Sequence, residues 1–233
     1  MKKFFIFLFA CFMLCSCRFK TGSGDIITET RSVNIFDGIS VGGGFEVDVK
    51  TGPVVSVVVE ADDNIMKHIE TRVSGNTLKI STEDLHNYSD VHMKVYITAP
   101  SLRTIKASSS AEVTVQDVLK NSGKLTFKAS SGSEIVAEVD APDVEADVSS
   151  GGYISLSGKT RNYTAEASSG SEIRSWDLKT ENTKVSVSSG ASAKVHASVS
   201  LNATASSGST VRYHGAASVS QSVSSGGSVT KNE

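Results

Sequence analysis

Cysteine is scarce in this 233-residue chain, and its placement matters as much as its scarcity: Cys11, Cys15 and Cys17 are all there are. Past position 17 no thiol remains, which excludes disulfide staples and thiolate metal sites from the body of the protein. Proline occurs three times. Aromatic residues make up 6%, and five of the nine phenylalanines (Phe4, Phe5, Phe7, Phe9 and Phe12) crowd the extreme N-terminus. The core must therefore be built from Val, Ile, Leu and Ala, a composition suited to β-structure. Neither charge dominates: 23 Lys and Arg face 25 Asp and Glu, and removing Lys2 and Lys3 moves the formal net charge from −2 to −4. The basic footprint of a nucleic-acid binder is missing. So are the phosphate-cradling P-loop, the G-x-S-x-G nucleophile turn, the H-E-x-x-H zinc helix and the nonapeptide calcium repeat. No cofactor is expected.

The longest apolar run, Phe4 to Leu14, has eleven residues. A bilayer needs about 20. Behind Lys2 and Lys3 it reads as the apolar region of a signal segment, residues 1–16. Leu14-Cys15-Ser16-Cys17 resembles the bacterial lipobox, and that resemblance implies cleavage before Cys17 and acylation of Cys17. An ordinary secretory signal with a stray cysteine is the alternative. Bulky Met13 and Leu14 argue against a lipobox ending at Cys15. Residues 17–24 then form a tether, and two or three acyl chains would hold the protein to a membrane without threading it through. The expected location is the outer membrane of a bacterial envelope. Arg18-Phe19-Lys20 is not the acidic run of a surface-export signal, so the side of the membrane stays open.

Ser-Ser-Gly recurs six times, ending at Gly132, Gly151, Gly170, Gly190, Gly208 and Gly226, after a degenerate Ser108-Ser109-Ser110. The steps are 22, 19, 19, 20, 18 and 18 residues. Five positions before each third residue stand Ile105, Phe127, Ala146, Ala165, Val185, Ala203 and Gln221. Three before stand Ala107, Ala129, Val148, Ala167, Val187, Ala205 and Val223. Three after stand Val113, Ile135, Ile154, Ile173, Ala193, Val211 and Val229. Lys, Glu, Ser, Thr and Arg alternate with them, so each unit is two short strands with one buried face. Such units hide that face only by stacking, with rungs about 4.8 Å apart. The expectation is an all-β, single-stranded solenoid with two-strand rungs of 18–22 residues and Ser-Ser-Gly corners. Glycine supplies the positive φ, while small serines let rungs stack and bond their hydroxyls to backbone. Gln221 and the polar Lys231-Asn232-Glu233 read as a cap. A trimeric intertwined stalk and a silk-like assembly share parts of this pattern, and handedness does not follow from it.

Residues 25–105 keep the alternation without the corner. Phe45 to Val49 follows the Gly42-Gly43-Gly44 turn, and Val54 to Val59 is a β-branched run. A short helical turn is expected from Asp63, with Asp63 or Asn64 as its cap. A hairpin turns at Ser74-Gly75-Asn76, and Val91 to Thr98 alternates again. Residues 106–233 then carry the repeats, as one continuous stack with 25–105 or as a neighbouring subdomain. Phe36-x-x-Ile39, Val47-x-Val49, Val59-Glu60-Ala61-Asp62-Asp63-Asn64, Leu78-Lys79-Ile80 and Tyr96-Ile97-Thr98-Ala99-Pro100-Ser101-Leu102 join those repeats. Together, over roughly residues 33–230, they resemble the bacterial family labelled "putative auto-transporter adhesin, head GIN domain". That resemblance implies a right-handed β-helix-like fold, a Bacteroidetes lipoprotein and a role in cell adhesion. It carries no catalytic residues.

Candidate chemistry is sparse. Glu112 and Glu134 fall on neighbouring rungs, where two carboxylates would share a proton or hold a cation. β-Helix polysaccharide lyases use such pairs, together with a base and calcium-binding aspartates that are lacking here. His196 and His214 lie 18 residues apart, one rung, without an evident third metal ligand. His68, His86 and His92 are scattered. Columns such as Lys106/Lys128/Glu166/Ser186/Thr204, with Thr114, Arg174, Lys194 and Arg212, could read a repeating polymer, and Tyr153, Tyr213 and Trp176 could stack on sugars. The reading is a non-enzymatic, lipid-anchored envelope protein acting in adhesion. Its partner would be a glycan or a host or envelope protein. Glycan binding as the main role is the alternative, and a β-helix carbohydrate-active enzyme a weaker one.

Overall fold

A computed structural model describes residues 19–83 and 87–232. The signal segment, Cys17, His86 and Glu233 lie outside them. The chain is a β-solenoid of about seven turns. Nineteen of its strands join one sheet system, in which residues from both the repeat and the preceding segment pair directly. Each rung has two strands. On one face the strands beginning at Glu112, Glu134, Tyr153, Glu172, Ser192, Thr210 and Ser228 lie parallel and in register. On the other, Thr104–Ser108 and Lys124–Ala129 are followed by residues 143–148, 162–167 and 182–187, then Ser200–Ala205 and Ser218–Val223.

The three apolar columns expected from the sequence face inward and fill the core. Ile105, Phe127, Ala146, Ala165, Val185 and Ala203 are all at most 1% exposed. The last rung covers the core and is itself open to solvent: beneath it Leu201, Ala203 and Ala205 are at most 1% exposed, while all of Ser218–Val223 is exposed, Val219 at 39% and Val223 at 46%. The polar Gln221 thus stands over buried Ala203, as expected of a terminal unit.

The corners hold a feature the glycine argument did not anticipate. The six glycines take φ between 68° and 74°, but the serine before each is left-handed as well, at 48° to 55°. Two consecutive positive-φ residues match a type I′ turn. The N–H of the residue after the glycine closes it by donating to the first serine's carbonyl at 2.9–3.3 Å. The N–H of every glycine before Gly226 then donates to the second serine's carbonyl one rung on, as Gly132 does to Ser150 at 3.1 Å and Gly170 to Ser189 at 3.0 Å. The parallel backbone ladder thus continues round the corner. The hydroxyls that serve it belong mainly to the residue after the triplet. Buried Ser133 Oγ donates to the Ala107 carbonyl at 2.8 Å and accepts the Ser130 N–H at 2.9 Å. Ser171 and Ser209 repeat the arrangement. They alternate with Ala111, Gly152, Ala191 and Gly227, so this column contains only small side chains.

The solenoid does not begin in sequence order. Gly38–Gly42 pairs with Thr104–Ser108 on one side and with Thr77–Thr82 on the other. Glu46–Thr51 pairs likewise with Glu112–Lys120 and Met93–Ala99. The first rung is therefore sandwiched between later segments. Beyond it the strands turn antiparallel. Ser56–Asp62 covers Met93–Ala99, Ile26–Thr30 covers Ser56–Asp62, and Ile69–Ser74 forms the expected hairpin with Thr77–Thr82.

The helical turn is Asp63–Met66, with Asp62 as N-cap residue, one position earlier than expected. The Asp62 side chain does not cap the helix. Its carboxylate instead accepts the N–H of Gly24 and of His92, both at 2.7 Å. Those donors, His92 foremost, hold its pKa below the usual carboxylate value against the opposing effect of burial. Part of the segment read as a tether is thereby docked. Phe19–Thr21 pairs with Asn87–Ser89, and Ser23 bonds to Asp63 and Asn64.

Candidate functional site

The six-residue strands and the corners that follow them keep constant length, so any change in rung length must appear at the opposite edge. From Glu134 to Asp143, and from Tyr153 to Asn162, the chain takes nine steps. From Glu172 to Asn182 it takes ten. From Ser192 to Ser200 and from Thr210 to Ser218 it takes eight. The extra residue leaves the strand at Ser175-Trp176-Asp177, and the two shorter rungs behind it are recessed. The result is a groove of about 830 Å³, walled by Trp176 and Asp177 and floored by Thr180, His196 and His214.

The groove rests on buried polar groups. Tyr163 Oη and Ser175 Oγ are 2.6 Å apart in the core, and burial raises the Tyr163 pKa. Thr183 Oγ1 donates to the His196 carbonyl at 2.8 Å. The Thr180 N–H donates to His196 Nδ1 at 3.0 Å, which fixes the ring and leaves Nε2 to carry the proton of the neutral form. Burial, then the adjacent His214, holds the His196 pKa below the ordinary histidine value. The two rings meet edge to face at 4.8 Å, and His214 meets Trp176 in the same way at 4.3 Å. Around the rim, Lys159 pairs with Asp140 at 3.3 Å and Arg161 with Glu181 at 4.0 Å. Asp177 and Lys179 are exposed on the strand path between them.

The expected rung neighbours are neighbours. Glu112 pairs with Glu134, and Glu46 extends the column on the other side. Burial and the Glu112 charge raise the Glu134 pKa. Lys94 closes that end, 3.6 Å from Glu46 and 3.2 Å from Asp48. Farther along the same face Arg174, Lys194 and Arg212 form a basic column, with Arg174 above the Tyr153 ring at 5.7 Å. Tyr213 lies one rung beyond Val195, beside that column.

On the opposite face Lys106, Lys128, Glu166, Ser186 and Thr204 align as expected. Asp147, overlooked in the sequence although it sits at the same offset, lies between them and bonds Lys128 at 2.8 Å. His68 contacts Lys20 at 3.0 Å and His92 contacts Glu60 at 2.7 Å, both in the N-terminal cap, that is, the antiparallel strands beyond the first rung and their connections, and neither lines the groove. Among the described residues no three His, Cys, Asp or Glu side chains gather as a metal site.

The chain is thus a parallel β-solenoid with long charged faces and a side groove behind Trp176. The chain belongs to the family described as "putative auto-transporter adhesin, head GIN domain", whose model matches residues 35–217. It is similar to the solved structure of a "putative adhesin" from Bacteroides fragilis, with a TM-score of 0.84 at 19% identity, over 92% of this chain and 100% of that one. A "putative lipid binding protein" from Parabacteroides distasonis gives 0.75 at 17%, over 93% and 100%. A "putative adhesin" from Parabacteroides merdae gives 0.73 at 18%, again over 93% and 100%. No curated protein matches in sequence. At these identities the structural likeness speaks for the fold alone.

Proposed function

We propose that the protein is a non-enzymatic, lipid-anchored envelope protein of a Gram-negative bacterium that acts in adhesion, presenting the solenoid as a rigid binding surface. The family membership carries this reading. The lipobox-like Leu14-Cys15-Ser16-Cys17 supports the anchor at Cys17. With Phe19–Thr21 paired into the cap, little free chain would separate that anchor from the solenoid. The cap end would then sit against the membrane and the later rungs would project from it. The Glu112–Glu134 pair does not favour a catalytic reading: Lys94, the base at that end of the column, is committed to Glu46 and Asp48.

Protease treatment of intact cells, with blotting for residues 25–233, tests the adhesin reading. Degradation of the solenoid, with weaker attachment of a deletion strain, is the expected outcome. Protection until the outer membrane is permeabilised would overturn it. Lipid binding, the description one neighbour carries, is disfavoured by the groove, whose walls bear six charged side chains.

A further inference from the structure

We propose that the groove behind the Trp176 bulge is a saccharide-binding site, taking one or two rings of a neutral glycan stacked on the Trp176 indole. This deepens the adhesion reading by naming what the surface grips, and rests on it only for biological purpose. The volume of about 830 Å³ lies within the range of small-ligand sites. The lining combines an aromatic plate with polar groups of both kinds. Among the described residues, the Trp176 indole N–H, the Lys179 ammonium and the Asp177 carboxylate have no protein partner, so donors and acceptors both face the opening. Sugar hydroxyls both donate and accept, and the apolar face of a pyranose ring suits an indole that is itself apolar with one polar tip.

Charge narrows the ligand class. Asp140, Asp177 and Glu181 balance Lys159, Lys179 and Arg161, and two of the three possible pairs are already formed. An anionic polymer would meet no net attraction, and a fatty acyl chain would desolvate charges without replacement partners. A peptide adding as a strand would need a free sheet edge, whereas the strands flanking the groove are paired on both sides. The site is also mechanically suited. His196 is fixed by Thr180, and His214 abuts Trp176, so the plate is held before a ligand arrives.

Trp176 is the only tryptophan, so its fluorescence reports on this groove alone. The protein would be titrated with neutral trisaccharides of β-1,4-glucose, α-1,6-mannose, β-1,4-galactose and β-1,4-N-acetylglucosamine. Heparin and a phosphatidylglycerol vesicle serve as contrasting probes. Calorimetry and circular dichroism would accompany each titration. At least one neutral trisaccharide should perturb the emission saturably. Calorimetric affinity should fall at least tenfold in Trp176→Ala and in the exposed-site double variant Asp177→Ala/Lys179→Ala, and stay unchanged in Glu112→Gln on the other part of the surface. If no neutral sugar binds, if Trp176→Ala binds as well as the parent, or if only heparin or vesicles bind, the proposal is overturned. Attachment assays separate this from the wider reading. A cell-surface protein whose deletion weakens attachment while Trp176→Ala does not would leave adhesion standing and remove the groove from it.

Discussion

Gly158 and Gly151 both have positive φ, yet substituting them should have very different consequences. At Gly151, φ is 70° and a Cβ would meet nothing within 4 Å. Alanine there carries only left-handed strain, about 1–2 kcal/mol, offset by about 0.4–1 kcal/mol from the less flexible unfolded chain. The net loss should fall between about 0 and about 1.6 kcal/mol. At Gly158, φ is 102° and a Cβ would lie 2.1 Å from the Val139 carbonyl oxygen and 2.9 Å from its nitrogen, both backbone atoms of the preceding rung. No rotamer relieves that contact. The rungs must separate where Gly158 also donates to the Asp177 carbonyl at 3.2 Å. A loss above about 4 kcal/mol is expected, in the range reserved for gross packing faults. Ser150→Gly, which relieves left-handed strain but loosens the unfolded chain, should stabilise by between about 0 and about 1.6 kcal/mol. Urea denaturation followed by far-ultraviolet circular dichroism measures all three. If Gly158→Ala proved no worse than Gly151→Ala, close backbone approach would not be what selects glycine at that edge.

Tyr163→Phe should cost about 1–2 kcal/mol, because it strands the Ser175 hydroxyl, which is 0% exposed; adding Ser175→Ala should restore most of it. Asp62→Ala removes the acceptor of two backbone N–H groups and should cost about 2–4 kcal/mol, seen as faster amide exchange at Gly24 and His92 than in the repeats. Because the Asp62 pKa is lowered on folding, its contribution is full above the unfolded value of about 3.9 and is lost as pH falls through the folded value, so the cap should loosen in acid before the repeats do. His196 behaves in the opposite sense to a paired histidine. Its folded pKa is lowered, so the unfolded chain takes up the proton first, and stability should drop as pH falls below about 6.5. His196→Asn, whose side-chain oxygen can still accept the Thr180 N–H, should flatten that slope in denaturation curves taken between pH 7.5 and 5.

Much of this architecture can be read in the chain because a period-two pattern around a fixed triplet has only one way to stack. Ile135, Ile154 and Ile173 share an offset and therefore share a column. The same offsets hold around Gly42-Gly43-Gly44, where Ile39, Val41 and Val47 occupy the inward positions, so the first rung was legible too once glycine is allowed to stand for serine. What no offset reveals is that this rung is flanked by segments from 77–99 and 104–115, since pattern fixes facing but not order. The groove was half legible. The 20-residue step followed by two of 18 announces a mismatch, but only the constancy of corners and strands tells which edge absorbs it. Asp62 gave no signal, because its partners are backbone groups 30 and 38 positions away.

The sandwiched first rung also sets a direction for assembly. Gly38–Gly42 and Glu46–Thr51 find parallel partners only in Thr77–Thr82, Met93–Ala99, Thr104–Ser108 and Glu112–Lys120. Nothing before that last strand completes a rung paired on both sides, so the opening of folding is a distant, many-loop closure of the slow kind. After it, every rung needs only the 18–22 residues that follow and a finished edge to copy. A chain emerging from its N-terminus would thus wait through its first half and then crystallise outward, one turn at a time, from the rung around Gly42-Gly43-Gly44.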